Sequence, residues 1–166
     1  MMPLKPSRLV IAALAILCAA LAVLAPRSDI LTTITIKAPP ARVWAVLTDT
    51  ASYPRWNPMI AGLKGTLLAG ATIENIEGYG AEQVIFWPRV LVARRDRELR
   101  WRGRLWGLPL LFTGEHYFLL QPTSAGTRFT QGEHFTGALL WVFDPRDLVP
   151  AFEAMNTALA ARAEAR

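Results

Sequence analysis

The chain has 166 residues, 52% of them hydrophobic, enough for one domain with a substantial core. Its net charge of +5 gathers into no coherent basic stripe with a nucleic-acid motif, so no nucleic-acid partner is expected. Cys18 is the single cysteine, which excludes an internal disulfide and a cysteine-based metal site.

Leu9 to Ala25 carries no charge and no proline, and Lys5 and Arg8 precede it. At ~1.5 Å per residue this run is at the short end for ~30 Å of hydrocarbon. Two readings compete. A cleaved signal would use Ala20-Leu21-Ala22, whereas the apolar run continues past that site, as a retained anchor would. The expectation is a membrane anchor over residues 1–27, contacting the membrane through residues 9–25. A folded domain over residues 28–166 then follows on the extracytoplasmic side. Leu17 is too large to precede a lipidated Cys18.

Asp29 to Lys37 alternates isoleucine and threonine as a strand does. Pro40 suits the first position of a helix over Ala41–Thr48, with Val43, Trp44 and Leu47 on one side. Asp49 or Thr50 is placed to cap a second short helix at Ala51–Tyr53, and Trp56-Asn57-Pro58 reads as a turn with an aromatic anchor. Strands are predicted around Leu63–Leu67, at Ala71–Glu77 and at Glu82–Ala93, the last two separated by Gly78-Tyr79-Gly80. Pro88 lacks a ladder donor and predicts an edge or a bulge. In Leu99–Leu105 the alternation sends Leu99, Trp101, Gly103 and Leu105 inward and Arg100, Arg102 and Arg104 outward. Trp106–Phe112 is an apolar loop broken by Gly107 and Pro109.

Gly114 to Gly137 reads as a hairpin. Leu120 opposite Phe129 brings Phe118 opposite Gln131 and His116 opposite Glu133, all on one face with Phe135. The chain ends in its longest helix, capped by Asp147, with Leu148, Phe152, Met155 and Leu159 in one stripe. That stripe must be buried against a face of the sheet. Gly103, Gln131, His116 and Glu133 cannot fill that face as leucines would, which predicts a cavity. The fold class is therefore α+β, with about six to seven antiparallel strands and a long C-terminal helix.

Ile36–Trp44, Leu47-Thr-Asp49, Tyr53–Pro58, Leu99-Arg-Trp101, Gly114-Glu-His116, Arg128–Glu133, Phe135-Thr-Gly137 and Phe152–Leu159 together resemble START-like (SRPBCC) domains. The branch they are most similar to is the polyketide cyclase/dehydrase-like one. The resemblance spans roughly Asp29 to Glu164. It implies a helix-grip fold, a curved sheet wrapped around the C-terminal helix with a deep hydrophobic cavity between them. The superfamily includes lipid carriers, receptors and a few cyclases and dehydratases, and no single catalytic motif carries over.

The sequence lacks Gly-x-Ser-x-Gly, His-Glu-x-x-His, a phosphate loop and a dinucleotide fingerprint, so no cofactor and no metal are expected. No pattern indicates an oligomeric state. The expected partner is a hydrophobic small molecule or lipid, bound by Trp56, Phe86, Trp101, His116, Phe118, Gln131, Glu133, Phe135, Phe152 and Met155. The alternative is a cyclase or dehydratase with His116 as general base and Glu133 orienting it. A third reading is an interaction protein acting through the Arg100/Arg102/Arg104 face. His134 falls on the opposite face from His116 and reads as a surface residue.

Overall fold

A computed structural model describes residues 7–78 and 83–165. Lys5, Tyr79, Gly80 and Glu82, to which the sequence assigns roles above, lie outside those residues, as do Arg166 and the side chain of Cys18. Eight strands and three α-helices follow one another in the order α1 (Arg8–Leu24), β1 (Arg27–Ile36), α2 (Pro40–Thr48), β2 (Ile60–Lys64), β3 (Glu74–Glu77), β4 (Val84–Phe86), β5 (Arg89–Arg94), β6 (Glu98–Arg104), β7 (Thr113–Thr123), β8 (Gly126–Thr136) and α3 (Val149–Glu164). The architecture is α+β, an antiparallel sheet with a long C-terminal helix against it, as in a helix-grip fold.

The strands form a five-stranded sheet in the order β1-β8-β7-β6-β5 and a three-stranded sheet in the order β2-β3-β4. Thr72 bridges to Arg89, and the Val90 N–H donates to the Ala71 carbonyl at 2.8 Å, so the chain before β3 laces the two sheets together. The predicted strand at Glu82–Ala93 is divided at Trp87-Pro88 into β4 and β5, with a register shift between Val90 and Val92. A residue without an N–H interrupts the ladder there. The β7–β8 hairpin adopts the expected register, with Leu120 opposite Phe129, Phe118 opposite Gln131 and His116 opposite Glu133.

The N-terminal expectation requires correction. The apolar run does form a helix, but α1 has 17 residues, about 25 Å at 1.5 Å per residue. Among the described residues no helix is long and apolar enough to cross a membrane. The structure thus gives no support to a single-pass anchor over residues 9–25 or to an extracytoplasmic placement derived from it.

The C-terminal helix also starts differently. A 3₁₀ turn over Pro145–Leu148 precedes α3, and Asp144 caps it by accepting from the Arg146 N–H at 3.0 Å, so Asp147 is not the cap. Pro150 then lies in the first turn of α3, where its missing N–H breaks no helical bond. The helix buries Phe152, Met155, Asn156 and Leu159 against the sheet. Asn156 Nδ2 donates to Thr32 Oγ1 at 2.8 Å and Thr32 Oγ1 donates to the Gln131 carbonyl at 3.3 Å, which ties α3 across β1 to β8.

The turn into β2 is held by a side chain. Asn57 is buried, and its Oδ1 accepts from the backbone N–H groups of Met59 at 2.9 Å and Ile60 at 2.8 Å. Tyr53, also buried, donates its hydroxyl to the Leu47 carbonyl at 2.6 Å and fixes the preceding 3₁₀ turn to α2. Replacing Asn57 with alanine leaves two inward N–H groups without an acceptor. The expected loss is about 2–3 kcal/mol of unfolding free energy. Urea titration of the wild type and the Asn57→Ala variant measures it, and a change below about 0.5 kcal/mol would show that this turn does not depend on the amide.

Candidate functional site

The inward face of the five-stranded sheet divides into a filled part and a hollow part. Under α3 it is filled. His116 is 1% exposed and stacks flat on Phe152, with ring centroids 5.0 Å apart and planes 9° from parallel. Phe118 lies 4.6 Å from the His116 ring and Trp101 5.3 Å, centroid to centroid. Gln131 Nε2 sits 3.0 Å from His116 Nε2 and 3.5 Å from Met155 Sδ. Phe118, Gln131, Phe152 and Met155 are therefore core residues of the helix–sheet junction in this geometry.

Beyond that junction, next to the start of α3, lies a cavity of about 450 Å³. β3 and β4 wall one side, the ends of β6, β7 and β8 form the floor, and Leu139, Phe143 and Leu148 close the end nearest α3. Of the residues expected at the site, Phe86, Trp101, Glu133 and Phe135 line it. His116 stands directly behind Glu133, with Nδ1 3.4 Å from Glu133 Oε2. Trp56 is elsewhere, its Nε1 donating to Ser52 Oγ at 2.9 Å and its ring edge-on to Tyr53. Most of the lining is apolar, with Val84, Pro88, Leu105 and Phe112 completing the walls, Phe112 packed on Phe135 and Phe143.

Two carboxyls interrupt this apolar surface. Glu133 comes from β8 and Glu77 from the end of β3, and both line the cavity. Burial pushes the Glu77 carboxyl up to about 7, against the opposing pull of Asn75, whose Nδ2 donates to Glu77 Oε1 at 2.7 Å. Burial, and secondarily the charge of Glu77, holds Glu133 well above the usual carboxylate range. Burial drives the His116 imidazole down to about 3, so the ring is neutral at ordinary pH. With Gln131 Nε2 donating to Nε2, the ring proton belongs on Nδ1, facing Glu133.

Glu133 owes its position to a glycine. A Cβ at Gly114 on β7 would collide with Glu133 Oε1, so a side chain there would displace the carboxyl from this position. Gly103, opposite Gly114 on β6, keeps the neighbouring floor open, since a Cβ there would meet only Pro88 at 3.6 Å. Glu77 and Asn75 carried no recognisable signal in the sequence, because an acid at the end of a short strand beside a glycine usually faces water.

The outward face behaves as a solvated one. Arg94 and Arg100 pair with Glu98, and Arg100 and Arg102 pair with Glu115 at 2.7 and 2.5 Å. The Arg100 guanidinium also lies over the Tyr117 ring, 5.1 Å from its centre. These ion pairs hold both Glu98 and Glu115 below the usual carboxylate range despite their partial burial. His134 is exposed and pairs with Asp29 at 2.7 Å.

The acid pair sets a pH dependence. A carboxyl whose folded pKa lies above its unfolded one favours folding at low pH, and that contribution disappears as pH rises through the folded value. For Glu77 the window runs from the usual 4.5 to about 7, and Glu133, held well above the usual range, contributes in the same direction. His116 acts oppositely below about 6.5, where the unfolded ring takes up a proton that the folded ring refuses. Because the cavity side of each carboxyl stays open, the expected fall in stability between pH 6 and 8 is about 1–2 kcal/mol. Denaturant titrations across that range should show it in the wild type and a flatter profile in a Glu77→Gln/Glu133→Gln variant. Identical profiles would contradict the placement of the two acids in the apolar cavity.

Comparison with known proteins agrees with this geometry. The family model described as "Polyketide cyclase / dehydrase and lipid transport" matches residues 28–164. No curated protein matches the chain. Among solved structures, protein CV1439 from Chromobacterium violaceum is 19% identical, with a TM-score of 0.67 over 83% of this chain and 98% of that one. The ZhuI aromatase/cyclase from Streptomyces sp. R1128 is 17% identical, with a TM-score of 0.63 over 84% of this chain and 94% of that one. Ara h 8.0201 is 10% identical, with a TM-score of 0.65 over 83% of this chain and 98% of that one. At such identities these likenesses speak for the fold alone. The family model covers most of the chain, and the protein belongs to the polyketide cyclase/dehydrase and lipid transport family, within the START-like (SRPBCC) superfamily.

Proposed function

We propose that the protein binds a hydrophobic small molecule or lipid in the cavity between β3–β4 and the ends of β6, β7 and β8. The observation that carries this reading is the hollow itself, about 450 Å³ lined mainly by apolar side chains and ending on two half-buried carboxyls. Protein interiors are close-packed, and a space of this size inside a small domain is kept by design of the surrounding side chains. Pockets for small ligands share this make-up, apolar walls with a few convergent polar groups. The domain over residues 28–166 is the unit of binding, with Phe86, Trp101, Glu133 and Phe135 in contact with the ligand. His116, Phe118, Gln131, Phe152 and Met155 support that floor from behind.

A cyclase or dehydratase is the second reading, and one observation favours it. Glu133 presents a carboxyl to the cavity with a neutral imidazole 3.4 Å behind it. In that order the acid would exchange a proton with the ligand and His116 would orient the acid, the reverse of the roles expected from sequence. The ZhuI aromatase/cyclase shares the fold, which is compatible with either reading.

Filling the hollow tests the first reading. Gly103 lines the cavity, and a Cβ there would meet only Pro88 at 3.6 Å, so a Gly103→Phe ring is placed to take up the ligand's space. Nile red should brighten on binding the wild type, and its affinity should fall at least tenfold in Gly103→Phe, with circular dichroism unchanged. A wild type that gives no Nile red response, or a variant that binds as well, would sink the reading.

A further inference from the structure

We propose that the polar end of the ligand is a protonated amine, held by Glu77, Glu133 and the carbonyl Oδ1 of Asn75. This rests on the reading of the cavity as a hydrophobic-ligand site and specifies what that ligand carries. Asn75 lines the cavity, is only 1% exposed, and has committed its amide Nδ2 to Glu77 Oε1 at 2.7 Å. Its Oδ1 is buried with no donor among the described residues. A buried acceptor in that state is an unmet demand, which an N–H of the ligand would satisfy.

The surrounding charges favour the same class. Glu77 and Glu133 face one apolar hollow from β3 and β8, and the charge of Glu77 raises the cost of ionising Glu133. An ammonium group brings one positive charge and three donors to a site that offers carboxyl and amide oxygens. An anionic head would set a negative charge against two carboxyls that already resist ionising together. A hydroxyl could satisfy one acceptor and would leave an ionised Glu77 uncompensated. Three further groups frame the acids. Asn75 donates to Glu77, neutral His116 lies behind Glu133, and Arg104, the one cation among the described lining residues, is exposed at the cavity's edge. Arg104 is therefore placed to meet the ligand's outer portion rather than its buried end.

Glu77 must be ionised to hold an ammonium, so binding competes with a proton on that carboxyl. Affinity for an amine should rise as pH passes through about 7, where the Glu77 carboxyl loses its proton. It should fall again only when the amine itself deprotonates, near 10.4 for a lysine-like ammonium.

Calorimetric titration of the full chain with octylamine, octanol and octanoate tests this, each kept below its aggregation concentration. At pH 8 octylamine should bind at least tenfold tighter than octanol, with octanoate weakest. Octylamine affinity should rise several-fold from pH 6 to 8 while octanol affinity stays level. A Glu77→Gln/Glu133→Gln variant should lose the amine preference and keep its octanol affinity. Equal binding of the three probes, tightest binding of octanoate, or an amine preference that survives in the double variant would overturn the amine assignment and leave the hydrophobic site standing. Failure of all three probes together with Nile red would remove the hydrophobic-ligand reading itself.

Discussion

Glu133 is an acid on a sheet face whose other inward residues are mostly aromatic, and the geometry of the site follows from how it is accommodated there. Its position is fixed twice. The hairpin register places it across from His116, and the missing side chain at Gly114 leaves its Oε1 a space. Period-two alternation means that a slip of one residue would turn Glu133 to water and send His134, now paired with Asp29, into the core. The register is held against such a slip by Phe129 and Leu120, which are buried and directly opposite. Burying an isolated carboxylate in such surroundings is unfavourable enough that the group takes a proton instead, and its raised pKa is the same fact expressed as an equilibrium.

The boundary between core and cavity runs through His116 and Gln131. On the α3 side, Phe152, Met155, Phe118 and Phe129 are all fully buried together with the imidazole. On the other side, two glycines at facing positions of β6 and β7 remove the side chains that would continue that packing. The hollow thus begins where Gly103 and Gly114 begin. The two-residue break at Trp87-Pro88 helps to keep it open, because it lets β4 leave the five-stranded sheet and pair with β3 as the opposing wall.

Much of this was legible in the sequence, and the limits have physical causes. The hairpin alternates without interruption over both strands, so register and facing could be read directly. The helical stripe from Phe152 to Leu159 named the face that packs. Depth within the stripe was not legible, since period and composition do not distinguish an aromatic that lines a hollow from one that plugs it. Trp56 illustrates the same ambiguity, because its indole serves the turn by bonding to Ser52. Glu77 was invisible because the cavity it faces is closed by residues of β6, β7 and β8, all remote from it in sequence. The N-terminal run failed on length rather than polarity, ending as a helix of 17 residues.

The arrangement behind Glu133 bears on whether the cavity only holds its ligand or also transforms it. Proton transfer requires the acid to give up and regain its proton without the site rearranging, and a neutral imidazole with its Nδ1 facing the carboxyl can follow either state. The same neutral ring is a poor base, however, because burial has lowered its pKa to about 3. Any turnover would therefore run through the carboxyls, with one of them ionised and the other protonated, the usual condition of two acids sharing a low-dielectric site. A cation bound between them would neutralise the ionised carboxyl and hold it in place. An amine ligand and carboxyl-driven proton transfer at the same moment are thus mutually exclusive uses of Glu77 and Glu133, which makes the charge of the bound molecule the property that separates a carrier from an enzyme here.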